Sequence, residues 1–475
     1  MYAEEFNHCM KLILLLCSLV SGTGLLRAGQ PNLVFIFADD MRADTIAALG
    51  NAHIQTPNLD RLVSEGTSFT RAYIMGGLQG AVCVPSRAMM LSGRSLFRVS
   101  EQLKDATTWP MVFRAGGYET FGFGKWHNGA ASYAASFPNG KNVFLGGMSD
   151  QFRIPVQDVD ANGKMTNRRT NNVHSSELFA GQAVDFLNAQ KGAKKPFALY
   201  VAFTAPHDPR SAPKKFHERY EKALPPLPRN YLPLHPFNNG EMTVRDEQLL
   251  PWPRTEAAVR RELADYYAII SHLDSQIGRV LAALKETGRA EETILVFAAD
   301  NGLAIGSHGL LGKQNLYEHS MRVPLIVGGP GLPKNRRTDA MCYTLDLFPT
   351  LCELAGIQSP PAVEGRSLVP VLKAGKESHR DSILTAYRHV QRAVNDGRFK
   401  LIRYPHLNKS QLFDLQNDPH EIRDLSADAA SKPKLDELMA RLAELQREFG
   451  DKLPLSTNNP APMQIPLKNP GKKKG

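Results

Sequence analysis

The chain has 475 residues, enough for one large domain plus a smaller one, or for two to three ordinary domains. Its 42% hydrophobic and 22% charged residues are those of a soluble globular protein, and five scattered cysteines are too few for a disulfide framework. The net charge of +10 favours an anionic ligand by long-range steering; with no basic stripe interleaved with aromatics and no zinc-finger spacing, nucleic acid is not an expected partner.

At the N-terminus, Lys11 precedes an apolar run over residues 12–20. The run suits the core of an export signal and is too short to span a bilayer. Gly22, Gly24 and Ala28 offer cleavage positions, so residues 1–28 are expected to be a signal peptide and the mature protein periplasmic or extracellular. Glu4 and Glu5 are unusual ahead of such a run, which leaves Met10 as an alternative start. No other segment is long and apolar enough for a membrane span.

Four short apolar runs then read as buried parallel strands. Residues 33–37 run into Asp39 and Asp40, and residues 120–123 into Lys125 and His127. Residues 197–203 run into His207, and residues 294–297 into Asp300 and Asn301. Ahead of the last run, Ala264, Tyr267, Ile270, Leu273, Ile277, Val280, Leu281 and Leu284 recur at helical spacing, with Gly288 as a stop. Alternating strands and helices predict a layered α/β domain with a mostly parallel sheet. The Pro-rich stretch 210–254 reads as a long excursion of the kind that carries recognition.

From about Glu377 the texture changes. A strand over 383–387 precedes a hairpin, residues 390–394 and 399–402 around Asp396-Gly397. Leu435, Leu438, Met439, Leu442, Leu445 and Phe449 mark an amphipathic helix. The expected layout is a signal at 1–28, a catalytic domain at 31–376, a small antiparallel-sheet-and-helix subdomain at 377–454, and a disordered basic tail at 455–475.

Ligands of open α/β sheets bind beyond the carboxyl ends of the strands. Singly, Asp40 could cap a helix, Lys125 could be a surface lysine and His207 could start a turn; four polar strand ends together argue for a site. Asp39, Asp40, Asp300 and Asn301 offer only oxygen, which suits a hard cation such as Ca²⁺ or Mg²⁺ rather than zinc. Of the cysteines, Cys9 and Cys17 fall in the N-terminal segment. Cys342 and Cys352 could pair, but two buried free thiols are expected. Cys83 opens the run Cys83-Val84-Pro85-Ser86-Arg87, continued through Leu91, Ser92, Gly93 and Arg94.

This C-x-P-S-R-x-x-x-L-S-G-R run resembles the signature of the type I sulfatases. Two further stretches match the same family: Gly124-Lys125-Trp126-His127 as G-K-x-H, and residues 308–313 as H-G-L-x-G-K. The resemblance runs from Asn32 to about Pro419, through 56–60, 317–325 and 346–350, where Arg322 and Asp346 are expected to be structural. It implies an alkaline-phosphatase-like fold, a large α/β/α sandwich with a small C-terminal sheet domain. It also implies that a formylglycine-generating maturation enzyme oxidises Cys83 to an aldehyde. The hydrated aldehyde is then the nucleophile: one hydroxyl displaces the alcohol from sulfur, and loss of the second proton releases sulfate. By the same resemblance Asp39, Asp40, Asp300, Asn301 and the matured Cys83 hold the metal, Ca²⁺ ahead of Mg²⁺. Arg87, Lys125 and Lys313 hold the sulfuryl oxygens, His127 serves as base, and His207 protonates the leaving oxygen. His308 is as well explained by a structural role. The expected activity is hydrolysis of sulfate esters, with sulfated carbohydrates as the expected substrate ahead of small molecules such as choline sulfate or aryl sulfates. The alternatives are a phosphonate monoester or phosphodiester hydrolase of the same superfamily, or a non-catalytic calcium-binding secreted protein with Cys83 unmodified.

Overall fold

The four apolar runs become neighbouring strands at the centre of an eleven-stranded sheet. The computed structural model describes residues 29–465; the expected signal segment lies outside the described residues. In chain order the strands are β1 (Asn32–Ala38), β2 (Gly66–Tyr73), β3 (Gly76–Gly77), β4 (Glu119–Lys125), β5 (Gly140–Phe144), β6 (Pro155–Val159), β7 (Met165–Thr170) and β8 (Phe197–Ala202). They continue with β9 (Thr293–Ala299), β10 (Arg322–Gly328), β11 (Arg336–Thr338) and β12 (Cys342–Tyr343). The spatial order is β11-β2-β10-β9-β1-β8-β4-β5-β6-β7, with β12 also on β2. The central run β9-β1-β8-β4-β5 is parallel throughout. β10 enters antiparallel between β9 and β2, and β6 and β7 close the other edge antiparallel.

Every residue of β1 and of β8 is buried, as continuous apolar runs require when both faces are covered. Register assigns the faces. Phe35 pairs with Tyr200 and Tyr200 with Gly122, so Phe121 and Phe123 point the other way. Trp109, opening the helix Trp109–Ala115, stacks on Phe35 at 5.9 Å; Phe186 of the helix Ser175–Ala189 meets Phe121 at 4.2 Å on the opposite face. The long helix Glu256–Glu286 starts at an N-cap, where Thr255 accepts from Ala258 N–H, and packs on Ser175–Ala189. Its Asp274 accepts from the backbone N–H groups of Asn58 and Leu59 at the start of the helix Pro57–Glu65. Among the described residues no helix is long and apolar enough to cross a membrane.

The second sheet has the order β16-β15-β14-β13-β3, with β13 (Ile383–Tyr387), β14 (Gln391–Asn395), β15 (Phe399–Tyr404) and β16 (Lys409–Asp414). Asp396-Gly397 turns the hairpin between β14 and β15 as expected. The helix Lys432–Phe449 buries Leu438, Leu442 and Leu445. One strand of this sheet is not C-terminal: β3 pairs parallel with β13 and anchors the segment that leads into Cys83. From Pro31 onward the chain is one compact unit. The first part of the tail also departs from expectation, while residues 466–475 lie outside the described residues. Residues 455–465 lie along the body: Leu455 O accepts from Arg403 Nε at 2.6 Å, Ala461 N–H donates to His406 O at 2.8 Å, and Met463 O accepts from Asn238 N–H at 2.8 Å. Its polar composition had masked the backbone partners waiting on the small sheet and the excursion.

Candidate active site

Cys83 is the first residue of the helix Cys83–Ser92, and Arg87 follows one turn later on the same face. The helix stops at Gly93, whose φ of 65° is left-handed and whose N–H bonds to Met89 O at 2.8 Å. A Cβ there would also lie 2.7 Å from Val363 Cγ1, which accounts for the glycine in the motif. Gly124, at φ 88°, lets β4 pass so close to β8 that a Cβ would sit 1.9 Å from Ala202 O; Lys125 then closes the strand facing the site. Asp40 (φ 66°) and His127 (φ 71°) adopt left-handed backbone without being glycine, a strain that clusters at functional sites.

The structure brings the expected residues together at the carboxyl edge of β9, β1, β8 and β4. Asp39, Asp300 and Cys83 each place a ligand atom within 4.8 Å of the others. The carboxylates are matched one to one by cations. Lys125 Nζ lies 2.5 Å from Asp39 Oδ2 and 2.6 Å from Gly147 O. Lys313 Nζ lies 2.6 Å from Asp40 Oδ1. Arg87 places Nε and Nη2 at 2.9 and 2.8 Å from Asp300 Oδ2, and its Nη1 donates to Lys125 O at 3.0 Å. Asp40 N–H donates to Asp300 Oδ1 at 2.9 Å, and Asn301 Nδ2 donates to Asp40 Oδ1 at 2.7 Å.

Two buried oxygens, Asp39 Oδ1 and Asn301 Oδ1, have no hydrogen-bond partner. Leaving such an acceptor unsatisfied costs about 1–3 kcal/mol. A hard divalent cation would satisfy both, and the surrounding donors are oxygens, so these residues fit a metal of that class. A second cluster, Asp40, His207 and Asp208, shares Asp40 with the first.

Electrostatics divide the labour. Burial alone would raise the Asp300 carboxyl, but Arg87, Lys125 and Lys313 outweigh it and hold it below the usual range. Burial raises Asp39 instead, with Asp300 and Asp40 adding to it and Lys125 opposing. Burial would lower Lys313, yet the carboxylates of Asp40 and Asp246 keep its ammonium charged. Burial, reinforced by Lys125, Arg87 and Lys313, pushes His127 down to about 2, so its ring is a neutral imidazole, with Nδ1 3.4 Å from Cys83 Sγ. His207 is lowered by burial against the pull of Asp40; its Nδ1 donates to Asp208 O at 2.8 Å, and Nε2 sits 3.5 Å from Asp40 Oδ2. The proton-donor role implied by resemblance therefore needs an imidazolium, which Asp40 and Asp208 favour and Lys313 and Lys125 oppose.

His308 donates or accepts no bond toward Cys83; it stacks on Tyr317 at 3.9 Å and meets Asn230 Nδ2 at 3.0 Å, a structural role. Asp346 and Arg322 are structural too: Asp346 pairs with Arg380, and Arg322 lies 3.5 Å from Glu318. Cys342 and Cys352 are buried free thiols. Several supports were not foreseen. Tyr266 donates to Asp40 O at 2.6 Å and accepts from Arg42 N–H at 3.0 Å, pinning the Asp39-Asp40 corner. Gly147 supplies a backbone carbonyl, for which a sequence carries no signal.

A mostly parallel sheet whose strand ends gather carboxylates and cations, with Cys83 at a helix N-terminus, is the arrangement of the alkaline-phosphatase-like fold. The "Sulfatase" family model matches residues 31–357, so the chain belongs to the sulfatase family and is a sulfuric ester hydrolase. A second model, "N-sulphoglucosamine sulphohydrolase, C-terminal", matches residues 306–448. The chain is 28% identical to an arylsulfatase of Clostridium perfringens, over 86% of this chain and 93% of that protein. It is 26% identical to an N-acetylglucosamine-6-O-sulfatase of Bacteroides thetaiotaomicron, over 90% of this chain and 88% of that protein. A solved structure described as a 2-O GAG sulfatase superposes with a TM-score of 0.69 at 25% identity, covering 89% of this chain and 93% of that one.

Proposed function

We propose that the protein removes sulfate from sulfated carbohydrates through a formylglycine matured from Cys83. Ca²⁺, ahead of Mg²⁺, would be held by Asp39, Asp40, Asp300, Asn301 and the matured side chain. The carbohydrate class is supported by the N-acetylglucosamine-6-O-sulfatase and 2-O GAG sulfatase likenesses and by the net charge of +10, which suits a polyanion. A formylglycine-generating enzyme would be the maturation partner, and residues 1–28 would direct the chain to the periplasm or exterior.

The observation that carries the reading is the state of Cys83. Its Sγ lies buried beside the Asp39 and Asp300 carboxylates, and burial holds the thiol above the ordinary cysteine range despite Lys313 and Lys125, so at neutral pH it is a protonated thiol and a poor nucleophile. A buried thiol gains nothing from three cations and three carboxylates, whereas a modified oxygen-bearing side chain does. When bound, the cation would act as a Lewis acid on the sulfuryl oxygens and lower the pKa of a neighbouring hydroxyl. Lys125, Lys313 and Arg87 supply fixed positive charge in a buried setting, where it acts strongly. Cys83 Sγ stands in for an oxygen of the matured side chain, and His127 Nδ1, 3.4 Å away, is the ring nitrogen within reach of its proton. His207 Nε2, with Nδ1 tied to Asp208 O, is the group oriented to give one to the departing alcohol.

The test is protein co-expressed with a formylglycine-generating enzyme, assayed against sulfated mono- and oligosaccharides and a phosphonate monoester, with and without chelator. Chelator-sensitive release of sulfate from a saccharide is expected. Turnover of the phosphonate monoester alone would overturn the substrate assignment.

A further inference from the structure

The excursion 210–254 contains a short 3-10 turn, Arg245–Leu249, and its first three residues reach both sides of the site. On one side Arg245 Nη1 lies 3.2 Å from Asp208 Oδ1, and its Nη2 pairs with Asp208 Oδ2. The Asp208 carbonyl oxygen in turn accepts a hydrogen bond from His207 Nδ1 at 2.8 Å, with Oδ1 3.4 Å from the same nitrogen. On the other side Asp246 Oδ2 accepts from Gln314 Nε2 at 2.8 Å, and Gln314 Oε1 accepts from Lys313 N–H at 3.0 Å. Arg245 Nη1 joins the halves, 2.9 Å from Asp246 Oδ1. Glu247 adds the firmest hold: its carboxylate accepts from Gly312 N–H at 2.8 Å and Leu311 N–H at 3.0 Å, and pairs with Arg254 Nη2 at 2.6 Å.

We propose that the turn Arg245–Leu249 is a positioning element that holds His207 and Lys313 in register across the site. The roles of those two residues rest on the function proposed above. Lys313 lies in a stretch without helix or strand, so its long side chain has no regular element to aim it. The buried Glu247–Arg254 pair is a costly way to hold a loop; an apolar contact of the same size would be as stable or more so. What the pair adds is direction, two oxygens gripping the two N–H groups ahead of Lys313. Arg245 does the same for His207 by fixing the Asp208 carboxylate that flanks Nδ1. The two arms act on different parts of the substrate. Lys313 serves the sulfuryl group, common to every ester. His207 serves the leaving oxygen, which needs a proton when it departs as an alkoxide and little help when it departs as a nitrophenolate.

The arms are separable in the matured, full-length enzyme by comparing p-nitrophenyl sulfate with a sugar sulfate (N-acetylglucosamine 6-sulfate first) and by measuring inhibition by inorganic sulfate. Arg245→Met should lower kcat on the sugar ester by about tenfold or more, leave the aryl ester within about threefold, and leave inhibition by sulfate unchanged. Glu247→Leu should lower both esters alike and weaken sulfate inhibition by about tenfold, and Glu247→Gln, which keeps an acceptor, should recover most of the loss. If Glu247→Leu does not fold, Gln314→Leu reads the same arm. Equal losses on both esters with unchanged sulfate inhibition in every variant, or no loss in any, would overturn the proposal. Turnover of neither ester by the wild type would instead overturn the proposed function on which it rests.

Discussion

Replacing Lys313 by Met should make the enzyme worse at catalysis and better at holding metal. Lys313 Nζ sits 2.6 Å from Asp40 Oδ1, and both groups are buried. At an effective dielectric of about 20 that pair is worth about 6 kcal/mol of Coulomb attraction before desolvation is subtracted. Removing one partner of a buried pair costs about 3–5 kcal/mol, because the other charge is left uncompensated. Lys313→Met in the presence of chelator should therefore be less stable than wild type by about that amount. A divalent cation competes with Lys313 for the same carboxylate, so in the variant it binds without displacing an ammonium from Asp40 and restores the balance there. Metal affinity should rise by about 10²-fold or more, and metal should raise the melting temperature further than in wild type. Sulfate-ester hydrolysis should fall by about 10²–10³-fold, since one fixed charge on the sulfuryl oxygens is gone. Thermal melts with chelator and with a Ca²⁺ series, with calorimetric titration, measure this. A variant that melts like wild type in chelator and binds metal no more tightly would refute the reasoning.

Asp346→Asn should destabilise the fold by about 3–5 kcal/mol, because it strands the buried Arg380 guanidinium. Burial would raise the Asp346 carboxyl, but Arg380 and His379 hold it below its ordinary 3.8. A depressed folded pKa stabilises above 3.8 and loses that contribution as pH falls below it, so wild type and variant should differ most at neutral pH and converge in acid, as urea midpoints would show. Gly124→Ala should cost about 3 kcal/mol or more, since the residue is left-handed and its Cβ meets Ala202 O at 1.9 Å. Its activity should fall beyond its stability loss, because Lys125 is the next residue; full specific activity in the folded fraction would contradict the tight pairing of Gly124 with Ala202 of β8.

Much of the centre was legible from sequence because burial on both faces writes itself as continuous apolar runs. β1, β4 and β9 extend the expected strands by only a residue or two at each end, and β8 ends one residue early. The polar residues after them fall at one edge because parallel strands share a direction. The antiparallel partners were less legible: β2 and β10 are paired across about 250 residues of chain, and no local pattern encodes that pairing. β3 is two glycines and could not be read as part of the small sheet. Asp and His adopt left-handed backbone more often than most residues but far less than glycine, so it was less legible at Asp40 and His127 than at Gly124. The turn Arg245–Leu249 lies in a stretch expected to carry recognition; its partners Asp208, Gly312 and Gln314 become visible only in three dimensions.

The most direct measurement is the mass of the peptide carrying residue 83 from protein made with a formylglycine-generating enzyme, taken alongside sulfate release. Formylglycine at position 83, with activity that tracks its occupancy and vanishes in Cys83→Ala while the fold is kept, is the expected result. Undiminished sulfate release from protein whose residue 83 is an intact cysteine, or from Cys83→Ala, would contradict it.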